Sequence, residues 1–231
     1  MVALFVIGIL LCALTADYVV QRLALRAPSM QEVADALEGI FLDASHLWIK
    51  PETMGVARVG ADSVVGVLVG SPRRIDWPAK GSVERGAPLL VVHGHGRSLI
   101  LRSPVAGEVV EQNTGFGASA TSASSDAFDS GWLVRLRPKQ LEPHLAAMKT
   151  GTKLREWSRQ EMNRLREFVL SRLPLAVVGA TAADGGPLAA DLASRLNDDA
   201  WYEAVRLMLG AQSLGQDEAA DFAIASVGGR T

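Results

Sequence analysis

Cysteine is almost absent from this chain. Cys12 is the only one in 231 residues, which excludes an internal disulfide and any cysteine-based metal cluster. A basic excess is also missing: 23 Lys and Arg stand against 25 Asp and Glu, a formal net charge of −2. That balance lacks the clustered positive charge that a nucleic-acid partner requires. No HExxH helix, Ser/His/Asp set or acidic pair with a shared context can be picked out along the chain. The Gly-rich run His93-Gly94-His95-Gly96-Arg97-Ser98 lacks the spacing of a phosphate-binding loop and leads into a strand instead of a helix. Asp184, Asp191, Asp198 and Asp199 read as helix caps and solvated faces. These absences leave no enzyme reading, no small-molecule substrate and no cofactor.

Charge is absent in one further place. Residues 1–20, MVALFVIGILLCALTADYVV, carry no charged side chain before Asp17. Twenty residues at ~1.5 Å rise span about the 30 Å of a bilayer's hydrocarbon core. No Lys or Arg precedes the run and no small-x-small cleavage site follows it, so it reads as an uncleaved anchor and not as a signal peptide. Leu10-Leu11-Cys12 also lacks the small residue expected before a lipidated cysteine. Arg22 and Arg26 follow the run, which by the positive-inside rule places the N-terminus outside and the remainder in the cytoplasm. Asp17 and Tyr18 then lie near the cytoplasmic interface, where Asp17 marks the end of the span or bonds a neighbouring membrane helix. The expectation is a single-pass protein of the inner (cytoplasmic) membrane, with the lipid bilayer as its first partner.

Residues 21–44 read as a helical exit, with Ser29 as a cap and Val33, Ala36, Leu37, Ile40 and Phe41 at helical spacing. From His46 the texture changes to short β segments: 46–50, 55–59 and 64–69. The turn-rich stretch 72–86 offers Ile75, Trp77 and Val83 to cover a barrel end. Strands at 89–92 and 99–102 flank the turn 93–98, where two glycines suit positive φ. Strands at 108–111 and 131–137 complete the set, with a Ser/Ala/Thr/Gly-rich surface loop (114–130) between them. Many short, closely spaced strands predict a small antiparallel sandwich or barrel.

Beyond Glu142 the pattern is helical. In 153–173, Leu154, Trp157, Leu165, Phe168 and Val169 share a face, with Met162 beside them. Arg155, Arg159, Arg166 and Arg172 stand opposite, diluted by Glu156 and Glu167, so this helix packs on the protein's own core or a partner in preference to a lipid surface. Pro174 ends it, 183–187 makes a turn, and Leu188, Leu192 and Leu196 form a short helix. Trp201, Val205 and Leu209 are in register for another over 198–209, and 210–231 is weakly patterned.

Five pieces of the β region carry a resemblance: His46-Leu-Trp48, Gly55-Val-Ala-Arg-Val-Gly60, Lys80-Gly-Ser-Val-Glu-Arg-Gly86, Ser103-Pro-Val-Ala-Gly-Glu-Val-Val110 and Gly131-Trp-Leu-Val-Arg-Leu-Arg-Pro138. In order and spacing, residues 46–150 resemble the glycine cleavage system H protein, the lipoyl-carrying member of the biotinyl/lipoyl-domain fold. The resemblance implies a flattened antiparallel β barrel-sandwich with a carrier hairpin whose tip lysine receives lipoate as an amide. It places that lysine on Gly96, beside Arg97, and the family's preceding glutamate near His93. Arginine remains protonated and is no nucleophile for amide formation, so His93, Gly94, His95, Gly96 and Arg97 read as a degenerate lipoyl turn. His93 and His95 are the one alternative, a metal pair, but two ligands are too few for a closed zinc site.

The whole is an α+β chain: a transmembrane anchor (1–26), a helical linker (27–45), an H-protein-like β domain (46–150) and a C-terminal helical extension (151–231). The expected function is that of a non-catalytic accessory subunit. It docks on a larger bacterial membrane complex, respiratory or photosynthetic, through Asp17, Tyr18, Arg22, Arg26 and Trp157. The alternative is a non-lipoylated partner-binding module linked to lipoyl metabolism.

Overall fold

The computed structural model describes residues 39–70, 72–77, 81–115, 132–173 and 192–214. The anchor with Asp17, Tyr18, Arg22 and Arg26, most of the linker, loop residues 116–131 and residues 174–191 and 215–231 lie outside the described residues. Among the described residues no helix is long and apolar enough to cross a membrane.

Where the sequence predicts the end of a linker helix, Phe41–Leu42 is instead a strand, β1, paired antiparallel with β2 (Leu47–Pro51). The β2–β3 pair (Ala57–Ala61) follows the period-2 rule. Leu47 and Ile49 enter the main core, whereas Trp48 points to the other face, into a cluster with Ile40, Leu42 and Leu154. Both faces of β2 are therefore covered. Trp48 keeps its polar atom satisfied by donating Nε1–H to Ala61 O at 2.9 Å.

The apolar run Val64-Val-Gly-Val-Leu-Val69, expected as a strand, is helix α1 (Ser63–Val69). A short apolar run cannot separate a strand from a buried helix by periodicity, and the deciding residue precedes it. Asp62 Oδ1 accepts the N–H groups of Val64 and Val65 at 2.9 and 3.3 Å, an N-cap that starts the helix. Val64, Val65, Val67, Leu68 and Val69 are all buried because β3, β6 and two later helices surround α1.

The stretch 72–86 holds two short strands, β4 (Arg74–Asp76) and β5 (Ser82–Val83). Ile75 and Trp77 are partly buried against the core and Val83 is within it. Strands β6 (Pro88–Gly94) and β7 (Arg97–Arg102) form the hairpin, followed by β8 (Gly107–Gln112) and β9 (Trp132–Pro138). One sheet runs β1-β2-β3-β9-β8-β5, the other β4-β6-β7, and every pairing is antiparallel. The Ser103-Pro-Val-Ala-Gly107 corner that joins them is tight. A β-carbon on Gly107 would lie 2.7 Å from Arg137 O, so only glycine fits against β9.

The helices pack on the core of the sandwich. After the short α2 (Glu142–Leu145), α3 (Gly151–Arg172) buries Leu154, Leu165 and Val169. Leu173, before Pro174, is extended at φ −97 and ψ 143, as a residue preceding proline prefers. A 3-10 turn at Ala193–Arg195 stands where the Leu188–Leu196 helix is expected to end. Helix α4 (Asp198–Leu209) starts on Asn197, whose Oδ1 accepts Ala200 N–H at 2.9 Å. Trp201, Val205 and Leu209 are buried on the predicted face, with Ala200, Ala204 and Met208. One continuous core runs from β2 and β3 through α1 to α3 and α4.

Candidate functional site at the hairpin tip

The hairpin is sharper than the sequence predicts. Gly94 pairs with Arg97 and His93 with Ser98, so only His95 and Gly96 form the turn. Both have positive φ, 51° and 77°, the signature of a type I′ connection whose twist matches the strands. Glycine adopts this conformation freely; histidine does so at a modest cost and is among the residues that tolerate it. His95 and Gly96 are exposed, and the hairpin 88–102 contains no lysine.

Arg97 turns away from solvent. Its Nε donates to Asp198 Oδ1 at 2.9 Å, Nη2 donates to Leu196 O, and the guanidinium lies 5.4 Å from the Trp201 ring centroid. Only 9% of the side chain is exposed, against 75% for Asp198. Trp201 in turn donates Nε1–H to Leu68 O at 2.9 Å. Further along β7, Arg102 Nε donates to Gln212 O at 2.8 Å and Leu99 bridges to Leu214. The start of α4 and the chain after it therefore fasten the hairpin. The crevice between them, lined by Leu68, Val92, His95, Arg97 and Trp201, leaves about 10 Å³ of free space, roughly the room one water needs.

His93 faces the other side of the small sheet. Asp76 Oδ2 is 2.9 Å from Nε2 and Ser98 Oγ 2.8 Å from Nδ1, while Arg74 Nη2 donates to the same Asp76 oxygen at 2.8 Å. A carboxylate only accepts, so Nε2 carries the proton toward Asp76, while Nδ1 shares a hydrogen bond with the Ser98 hydroxyl. The three residues stand in the Asp–His–Ser order of a hydrolase relay with the ring nitrogens exchanged. One residue comes from each of β4, β6 and β7, so the series ties the short β4 to the hairpin. The sequence hides this set because Asp76 precedes His93 by 17 positions, and only the β4–β6 register, Arg74 opposite His93, joins them. Among the described residues no group of three or more His, Cys, Asp or Glu is placed to hold a metal, and His93 and His95 do not form the core of one.

Trp157 is half-buried. It stacks on His46 with centroids 4.7 Å apart, and Lys149 Nζ lies 4.2 Å from its ring centroid. Trp157 packs against Leu42 and Trp48 and so secures α3 to β1 and β2.

The outer face of the large sheet is different in kind. Val110 is the extra residue of a bulge between Val109 and Glu111, and it is 49% exposed. Met54, at φ 61° in the 3-10 turn Thr53–Gly55, is 92% exposed. Both line an open depression of about 650 Å³ with Glu52, Glu111, Arg135 and Arg137. Arg135 contacts Glu111 at 2.6 Å and Glu52 at 3.1 Å. The hydrogen bond that Arg135 donates to Glu111 and the charge of Glu52 raise its guanidinium above the ordinary arginine value.

An antiparallel sandwich with a short-turned hairpin at one end and helices closing its flank is the architecture of the lipoyl-domain class. The glycine cleavage H-protein family model matches residues 41–161, slightly more than half of the chain, and the chain belongs to that family. The match reaches past the β region into the first half of α3. A mitochondrial glycine cleavage system H protein from Mesembryanthemum crystallinum is 29% identical over 102 residues, 44% of this chain. The chain spans 62% of that relative's length. The glycine cleavage system H protein of Edwardsiella ictaluri is 32% identical over 95 residues, 41% of this chain and 74% of that protein. A crystal structure of the H protein from Mycobacterium marinum aligns over 54% of this chain and 97% of its own at 24% identity. Its TM-score is 0.42, too low to add to the assignment.

Proposed function

We propose that this protein is a non-carrying member of the H-protein family, a non-catalytic accessory subunit that works through its surfaces. The observation that carries this reading is the hairpin tip. Gly96 takes the position that the resemblance gives to the lipoyl lysine, and its neighbour Arg97 is drawn inward by Asp198, Leu196 and Trp201. A carrier arm needs a free primary amine and room to swing. The tip lacks the amine: the cation there is a guanidinium, which does not form the amide, and it is anchored. The apolar residues 1–20 and the arginines after them support a single-pass anchor in the cytoplasmic membrane, with the described domain on the cytoplasmic side. A larger membrane complex of the respiratory or photosynthetic kind is the proposed host, and its integral subunits the partners.

Purification of the full chain in mild detergent tests this reading. Stoichiometric co-purification of membrane subunits is the expected result, and a monodisperse monomer without companions argues against it. Family membership favours the second reading, a non-lipoylated module that docks on lipoate-handling enzymes. Intact-mass measurement decides whether either holds, because a lipoyl adduct on any lysine overturns both.

A further inference from the structure

His46 is completely buried, at φ +62°, where the chain enters β2. Its Nδ1 is 2.7 Å from Asp62 Oδ2, and its Nε2 is 4.0 Å from Glu161 Oε2 without a hydrogen-bond partner. The other Asp62 oxygen already accepts the two N–H groups that start α1. A carboxylate so used is an acceptor on both oxygens, so Nδ1 carries a proton. A neutral ring would then turn the bare lone pair of Nε2 toward the Glu161 carboxylate, two acceptors facing each other away from solvent. An imidazolium presents an N–H to each carboxylate.

We infer that His46 is a proton-dependent latch between the barrel and α3. Protonated, it bridges Asp62 at the end of β3 to Glu161 on α3; on losing the Nε2 proton it releases Glu161 and loosens the helix between Leu154 and Leu165. The other charged groups around it fit this assignment. Arg164 Nη1 is 3.6 Å from Glu161 and about half-exposed, able to take the carboxylate over when the ring lets go. Lys149 lies over Trp157, on which the ring stacks. Asp43 accepts the His46 N–H through its main-chain oxygen, and its carboxylate is occupied by Ser45.

The test uses the full chain titrated from about pH 5 to about pH 9, the range in which a histidine changes charge. Ring nitrogen NMR reads the His46 protonation directly. Emission that disappears in Trp157→Phe isolates the stacked indole, which an imidazolium quenches and a neutral ring does not. The expected result is a one-proton transition in both signals, with Trp157 emission rising as pH rises. Amide exchange across residues 154–161 quickens over the same interval beyond its intrinsic pH dependence. The Glu161 side chain is 16% exposed, and Glu161→Gln, which leaves the Asp62 contacts in place, moves the transition to lower pH by removing one of the two anions. A ring that stays neutral in one tautomer throughout, or a transition unmoved in Glu161→Gln, overturns the latch.

Discussion

The hairpin tip and the Met54–Val110 face end the two sheets of this molecule in opposite ways. At the tip, Arg97, the cation beside the position that the family resemblance marks for chemistry, is drawn inward, and α4 with the segment after it occupies its flank. On the large sheet, a bulge and a left-handed turn push two apolar side chains into solvent. Burial at the tip stabilises the fold. Exposure at Met54 and Val110 contributes nothing to it, and a methionine at positive φ costs about 1–2 kcal/mol relative to an unstrained one. One region has been taken into the fold, and the other stands outside its energetics.

Four substitutions break or sharpen that contrast. Trp201→Ala has the largest expected effect. It empties a buried indole site, leaves Leu68 O without its donor and removes the ring beneath Arg97, for a loss of about 3–5 kcal/mol in chemical denaturation. Gly107→Ala comes next, at roughly 2–3 kcal/mol, because the added carbon meets main-chain atoms of β9 that cannot move aside singly. Arg97→Lys costs about 1 kcal/mol. Asp198 itself is largely solvated and its pairing contributes little, so the loss lies in the contact to Leu196 O and the stacking on Trp201. In the same variant, faster amide exchange at 92–99 would locate the damage in the hairpin; exchange unchanged there would mean the clamp is cosmetic. Met54→Gly is the smallest and has the opposite sign, a gain of up to about 1 kcal/mol from relieved backbone strain. Should it also reduce the yield of co-purifying subunits, the exposed face is where they bind.

The sequence makes the sandwich, the hairpin and α4 legible because each rests on local signals: alternating Val and Leu, paired glycines, and the helical register of Trp201, Val205 and Leu209. Helix α1 was not legible, since a six-residue apolar run has no period to read and the decision lies in one hydrogen-bonding carboxylate, Asp62. Phe41–Leu42 fits a helical spacing yet pairs with β2, and that pairing is a tertiary effect. The clamp on Arg97 and the His46–Asp62–Glu161 cluster are joined across 101 and up to 115 positions. No composition or spacing rule reaches that far. What the sequence does carry is the negative finding at the hairpin, because the absence of a lysine needs no coordinates.

The contacts that hold the hairpin have a consequence for how the chain is made. Arg97 finds Asp198, Leu68 finds Trp201 and Arg102 finds Gln212 across 101, 133 and 110 positions. Contacts so remote in sequence form late, and during synthesis they must wait until α4 has left the ribosome. Until then the barrel lacks one wall, with Leu68, Val92 and Leu99 uncovered beside a growing chain. Residues 192–214 thus complete the core, and a chain that stops short of them leaves that apolar surface uncovered.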